Sequence, residues 1–198
     1  MKVLTVLKPI IFAAALGPAA VLVYDAFTGD LTANPIEYIT NTTGLTALTF
    51  LLITLGITPL RRIAGWNDII RLRRMLGLFA FFYACLHFLT WFVLDQFFDF
   101  ATMAEDIVER PFITLGMATL LLLIPLAVTS TGGMIRRLGR RWQELHRLIY
   151  VAAVLGVIHY WLGQKADFRD PRFYAVALSA LLGFRAWWMW RTRVSSPS

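Results

Sequence analysis

The stretch RLRRMLGLFAFFYACLHFLTWFVLD (71–95) decides the fold. Arg71, Arg73 and Arg74 open it, an apolar run follows, and Asp95 closes it. The only side chain of acid or base character inside that run is His87. About 20 apolar residues in a helix cross the hydrocarbon core of a bilayer. Every backbone donor in lipid needs an internal partner, so the run must be helical. An ionisable group at that depth is costly and usually serves function.

Outward from this segment the pattern repeats. With it, six apolar stretches run over residues 9–24, 43–60, 75–94, 111–130, 145–162 and 173–190. The expected fold is an all-α integral membrane protein. It is a six-transmembrane-helix bundle forming a single domain over 1–198, with its core at about 43–162. Composition agrees: 58% of residues are hydrophobic, 16% are charged and the mean hydropathy is +0.64. Soluble domains carry about 45–50% apolar and about 25% charged residues. Disorder, a coiled coil, collagen and a secreted disulfide scaffold are excluded, and the single Cys85 rules out an intrachain disulfide. Pro9 and Pro111 sit at span starts, where a missing N–H costs little, while Pro18 and Pro125 are expected to kink their spans. Lys2, Lys8 and the alanines of 13–20 resemble a signal peptide, but the apolar run continues through residues 21–24, which predicts an uncleaved helix.

The net charge of +7 is polarised. Fourteen of the 19 Lys and Arg residues, with only Asp68 and Glu144, fall on one side of the spans. The other side holds four basic residues and ten acids. Arg185, near the end of the last span, can snorkel to the basic side. Basic loops stay in the cytoplasm, so both termini are expected there. No nucleotide-binding motif, soluble domain or internal repeat is legible.

The three histidines, His87, His146 and His159, all lie in spans three and five. At about 1.5 Å per residue, His87 and His159 are roughly 20 Å and 18 Å from the basic edge, at matching depth. Two neutral imidazoles facing each other can hold a metal or both axial positions of a haem. A bare metal wants further ligands, whereas haem supplies four nitrogens itself. Gly77, Ala80 and Ala84 precede His87 at helical spacing, and Ala152 and Gly156 precede His159, which outlines a slot for a porphyrin. Small residues also let membrane helices pack closely. Tyr83 and Trp91, one turn either side of His87, are candidates to line the slot or to pack between spans.

His146, near the basic edge, is a candidate ligand of a second haem or an interfacial side chain. The matching positions on span three are Arg73 and Arg74, which cannot ligate iron as guanidinium cations. Arg73, Arg74 and Arg147 are candidates for haem propionate or flavin phosphate contacts, although topology accounts for most of the basic residues. The polar turn at 129–133 is a weaker phosphate candidate. Trp66, Trp142, Trp187, Trp188 and Trp190 fall near the interfaces, as aromatic belts do.

LGPAAVLVYDAFTGDLTANPIEYIT (16–40), TPLRRIAGW (58–66), IRLRRMLGLFAFFYACLHFLT (70–90), RPFITLGM (110–117) and TSTGGMIRRLGRRWQELHRLIYVAAVLGVIHY (129–160) resemble the MsrQ family, formerly YedZ. These are haem-binding membrane subunits of the bacterial periplasmic methionine-sulfoxide reductase system. The resemblance covers about residues 10–190, and spans two to six are more distantly similar to the ferric-reductase and NADPH-oxidase transmembrane domain. It implies an inner-membrane subunit carrying haem b and associated with FMN. Electrons would come from the quinone pool or a cytoplasmic flavin reductase. They would pass to a periplasmic molybdopterin subunit, MsrP, which reduces methionine sulfoxide in oxidised envelope proteins. His87, His146 and His159 match the family's histidines. Oxidase-type domains carry two histidines on each of spans three and five; this chain has one on span three, which removes a ligand from a second bis-histidine haem. Those relatives also continue into a flavin and NADPH domain, so the donor here is expected to be separate. The acidic loops 95–110 and 165–172 are candidates to dock the partner. A quinol-linked cytochrome b of another respiratory complex is the alternative of the same chemistry. A non-redox transporter or scaffold is less compatible with so few buried charges.

Overall fold

The computed structural model describes residues 2–164 and 169–194 and is helical almost throughout. Helix α1 covers Lys2–Thr28, α2 Pro35–Ala64, α3 Arg73–Leu89, α4 Phe100–Glu109 and α5 Pro111–Val128. Then come α6 (Gly132–Leu138), α7 (Arg140–Leu145), α8 (Leu148–Gly163) and α9 (Arg169–Val194). A 3₁₀ turn, Asn67–Leu72, leads into α3, and a π-helical segment, Thr90–Asp95, continues it.

Local chemistry sets the boundaries. Asn34 caps α2 by accepting from the Glu37 backbone N–H at 3.3 Å, Pro35 follows at the first helical position, and Gly65 ends the helix at φ +66°. These caps carry α2 well beyond the apolar stretch at 43–60. Its threonines do not spoil it as a span, because they bond back to their own helix: Thr43 Oγ1 to the Ile39 carbonyl, Thr46 to Thr42 and Thr54 to Phe50, each at 2.7 Å. In the connection after α3, Phe97 and Phe98 take left-handed φ values of 47° and 63°, and Asp99 then caps α4. Bonds from the backbone and hydroxyl of Thr102 hold the Asp99 carboxyl below the usual carboxylate range. That short amphipathic helix lies where the sequence shows only a loop.

Among the described residues, five segments are long and apolar enough to cross a membrane: Leu4–Thr28, Pro35–Ala64, Asn67–Asp95, Pro111–Val128 and Arg140–Gly163. The expected sixth lies in α9, whose 26 residues are long enough to span, but whose apolar run is diluted by Arg185, Trp187, Trp188 and Trp190. The fifth expected span is broken near its basic end. The chain turns at His146 and Arg147, so α7 and α8 are separate helices. The loop 165–172 has its first four residues outside the described ones.

Two hairpins form the core: α2 packs along α3, and α5 packs along α8. Leu48, Leu51 and Leu55 of α2 meet Ala80 of α3, Leu123 and Leu126 of α5, and Ala152 and Ala153 of α8. Helix α9 covers this cluster with Leu178, and Thr49 bonds the Tyr174 hydroxyl at 2.8 Å. Helix α1 lies outside, with Val6, Ile10, Phe12, Val21 and Phe27 exposed as a lipid-facing surface should be.

Tyr83 holds α1 in place. Fully buried, it donates to the Ala15 carbonyl at 2.7 Å and accepts from the Ala19 N–H at 3.2 Å. Those are the two groups a straight helix would join, so the hydroxyl is inserted into the turn beside Pro18. Tyr83 packs between spans and does not line the slot. Tyr83→Phe lets the two backbone groups rejoin, so the expected cost is about 1 kcal/mol, within the usual 0.5–1.5 for one hydrogen bond. A thermal melt in detergent checks this, with haem absorbance unchanged at the start of the melt.

Candidate functional site

Between the hairpins lies a cavity of about 330 Å³, within the roughly 300–1,000 Å³ of cofactor clefts. His87 from α3 and His159 from α8 both line it. Their ring centres are 5.9 Å apart and the ring planes cross at 74°. Nδ1 of His87 lies 2.9 Å from the Thr40 carbonyl of α2. Nδ1 of His159 lies 2.6 Å from the Phe112 carbonyl of α5. A carbonyl can only accept, so each Nδ1 carries the proton, and each Nε2 keeps its lone pair. A second-shell carbonyl of this kind fixes the tautomer and orientation of a ligating histidine.

Glycines leave room for both rings. A Cβ on Gly44 of α2 would stand 2.9 Å from His87 Nδ1, and one on Gly116 of α5 would stand 2.9 Å from His159 Cε1. The carbonyl, the glycine and the histidine recur at a constant spacing of 72 positions: 40 and 112, 44 and 116, 87 and 159. In both hairpins the carbonyl precedes its histidine by 47 residues. The chain thus does contain a structural repeat. Its glycines and histidines are identical pairs in the sequence, but the third pair is hidden, because Thr40 and Phe112 share no side-chain chemistry and only their backbone oxygens are equivalent.

Opposed imidazoles of this kind suit one metal. A metal bonded to one nitrogen of each ring at about 2.0–2.1 Å holds the ring centres roughly 6 Å apart. The observed 5.9 Å agrees. Among the described residues no cluster of three His, Cys, Asp or Glu side chains could complete a bare metal site. The two-ligand set therefore fits a macrocycle that brings its own equatorial nitrogens. Ala80, Ala84 and Gly156 line the cavity with the histidines, alongside Leu51, Leu120 and Leu123.

Other expected site residues lie elsewhere. Gly77 faces α2, where a Cβ would meet Thr54 Cγ2 at 3.5 Å, and Ala152 is sealed in the leucine core at 0% exposure. Helical spacing gives the face of a residue but not its neighbour, and neither Gly77 nor Ala152 lines the cavity. Arg74 and Arg147 are exposed at the basic end and do not line the cavity. Arg73 lies there too, within electrostatic reach of His146 and Arg185. Thirteen helical residues, about 20 Å, separate Arg74 from His87, more than one side chain bridges. His146 occupies the break before α8. Its Nε2 lies 3.1 Å from Thr129 Oγ1 and its ring stacks on Trp142 at 3.9 Å. In turn, Trp142 Nε1 donates to the Thr129 carbonyl at 3.0 Å, so the 129–133 turn serves to tie α5 to α7. Trp91 does line the cavity, on the π-helical segment; such segments favour functional sites.

Comparison with known proteins bears on the same region. Residues 42–157 match the family model described as ferric reductase like transmembrane component. A protein-methionine-sulfoxide reductase heme-binding subunit MsrQ from Herminiimonas arsenicoxydans is 54% identical over 193 residues, covering 96% of this chain and 88% of that protein. The subunit of the same name from Ralstonia nicotianae is 50% identical over 193 residues, covering 96% and 89%. That from Rhodospirillum rubrum reaches 58% over 158 residues, covering 79% and 76%. No solved structure matches the chain.

Proposed function

The chain belongs to the MsrQ family and carries a ferric-reductase-like transmembrane domain, and from that premise we propose that it is the haem b electron-transfer subunit of a methionine-sulfoxide reductase system. His87 and His159 are the residues that would hold the haem iron. The observation that carries this is the pair itself: two imidazoles 5.9 Å apart, each with Nδ1 tied to a backbone carbonyl and Nε2 left to bind. Haem bound there would supply the reversible one-electron chemistry. The protein's part is to hold the imidazoles in one tautomer, shape a slot between the hairpins and keep water from the iron.

On this reading α9 is the sixth span, the basic end lies in the cytoplasm with both termini, and the membrane is the bacterial inner membrane. The chain receives electrons from the quinone pool or a cytoplasmic flavin donor. It passes them to a periplasmic molybdopterin reductase of the MsrP type, which repairs oxidised proteins. The outer loop 95–110, with α4 and its acids, is the docking face. FMN is a second cofactor of this reading. Arg73, Arg74 and Arg147 are too far from the histidine pair to serve this haem and remain candidates for the flavin phosphate or lipid phosphate.

The crossed imidazole planes give a direct test. Low-spin ferric haem with near-perpendicular axial rings shows a strongly anisotropic EPR signal, because the two iron orbitals in contact with the rings become nearly degenerate. The oxidised protein is expected to show that signal. A rhombic signal would place the rings parallel, and a wholly high-spin signal would exclude paired imidazoles.

A further inference from the structure

At the acidic end the cavity is lined by Asn41, Trp91, Asp95, Arg110 and Gln164. Arg110 is the only Lys or Arg side chain among the described residues that line it. Its side chain is about half exposed at this end, at 56%, but it is tethered. Its Nε stands 3.1 Å from Asp106 Oδ1, one turn back across the end of α4. Asp106 is buried, and its other oxygen accepts from Gln96 Nε2 at 2.8 Å. The carboxylate is thus used on both sides and aligns the guanidinium. A guanidinium has five N–H donors, so its terminal nitrogens stay available to the cavity. Trp91, four residues past His87 and so about 6 Å nearer the mouth along the helix, is a second donor. Its Nε1–H is buried and has no acceptor among the described residues. A buried donor without a partner is rare in a finished structure and points to a group that is yet to bind.

We propose that this mouth, with Arg110 steadied by Asp106 and Trp91 beside it, seats the carboxylate side chains of the tetrapyrrole. The inference rests on the haem reading above. Carboxylates on an otherwise apolar macrocycle need charge-assisted partners when they leave water, and with Nε held by Asp106 the guanidinium of Arg110 keeps one end-on pair of parallel N–H groups for a carboxylate. Gly44, Ala84 and Gly156 offer the body of the slot no such group, so the ring has one orientation that satisfies its anions. Asp95 on the same rim repels an anion turned its way and leaves the Arg110 side as the seat. The carboxylate edge then faces the acidic end, where the reading places the electron acceptor.

The test loads the full-length apoprotein with iron protoporphyrin or with its dimethyl ester, which lacks both carboxylates. Arg110→Gln is compared with Arg172→Gln, which removes a charge from the same end but outside the cavity. Arg110→Gln should keep the bis-imidazole spectrum, lose natural haem roughly tenfold faster or more, and lower the midpoint potential, since a cation near the iron favours the reduced state. With the dimethyl ester, Arg110→Gln and the unaltered protein should release at similar rates. Arg172→Gln should change neither. Unchanged release and potential in Arg110→Gln, or the same loss with the ester as with natural haem, overturns the proposal while leaving the histidine ligation intact. Absence of a bis-imidazole spectrum in the unaltered protein would instead remove the reading on which it rests.

Discussion

Alanine at either His87 or His159 is expected to abolish the low-spin haem spectrum completely. The chain has three histidines, and the third cannot substitute. His146 is bonded to Thr129, stacked on Trp142, and sits 13 residues before His159 on a separate helical axis. The stretch of α8 from Leu148 to His159 alone puts about 16 Å between that break and the site. Loss of one ring leaves at most five ligands on iron and so a high-spin or empty site. Dithionite-reduced minus oxidised spectra, normalised to protein, read the outcome. Added imidazole, which fits the space the side chain vacates, should restore a low-spin spectrum and shows that the alanine variants are folded. Retention of the full low-spin spectrum by either variant would falsify the assignment.

The second large effect is expected at two glycines that carry no chemistry. Gly44→Ala puts a methyl group 2.9 Å from His87 Nδ1, and Gly116→Ala puts one 2.9 Å from His159 Cε1. Neither distance is tolerable, and neither ring can move freely. Each is held by its hydrogen bond to Thr40 or Phe112, and a shift of either ring would change the 5.9 Å spacing of the pair. Moving the ring costs the anchor, about 1 kcal/mol net and more if the carbonyl is left unpaired in a dry site. Small-to-large changes in a packed site add about 1–3 kcal/mol. Together these predict a loss of haem occupancy of about tenfold or more, greater still with valine. Gly17→Ala and Gly183→Ala are the contrast. Nothing lies within 4 Å of either added methyl group, and alanine is the better helix former by about 1 kcal/mol. Those two variants should load haem normally and melt no lower. Haem per protein by the pyridine haemochrome method separates the two classes; full loading of both Gly44→Ala and Gly116→Ala contradicts the account.

Much of this was legible in residues 71–95. A basic start, an apolar run and an acidic stop set the helix and its polarity, and the 1.5 Å rise put His87 and His159 level. Periodicity could go no further than the face of each helix. Gly44 and Gly116 lie on helices other than those of the histidines they admit, so no local spacing marks them. The anchoring carbonyls of Thr40 and Phe112 belong to the backbone, which composition does not distinguish. Gly77 and Ala152 show the converse error, with the right spacing but with Thr54 and the leucine core as neighbours. In the sequence Arg110 reads only as one of four basic residues on the acidic side, because its contact with Asp106, itself bonded to Gln96, depends on α4 and the turn before it. That helix lies in a stretch too polar and too short to stand out from a loop. The acidic character of one end was plain from charge alone; that one of its few cations faces the cavity was not.

On the proposed reading one iron would be held between His87 and His159. The near-infrared magnetic circular dichroism of the oxidised protein reports the axial pair directly, because the charge-transfer band moves with the identity of the two ligands. The account predicts the bis-imidazole band in the unaltered protein and its loss in both His87→Ala and His159→Ala. A band of histidine–methionine or histidine–amine type, or a bis-imidazole band that survives either substitution, would contradict it.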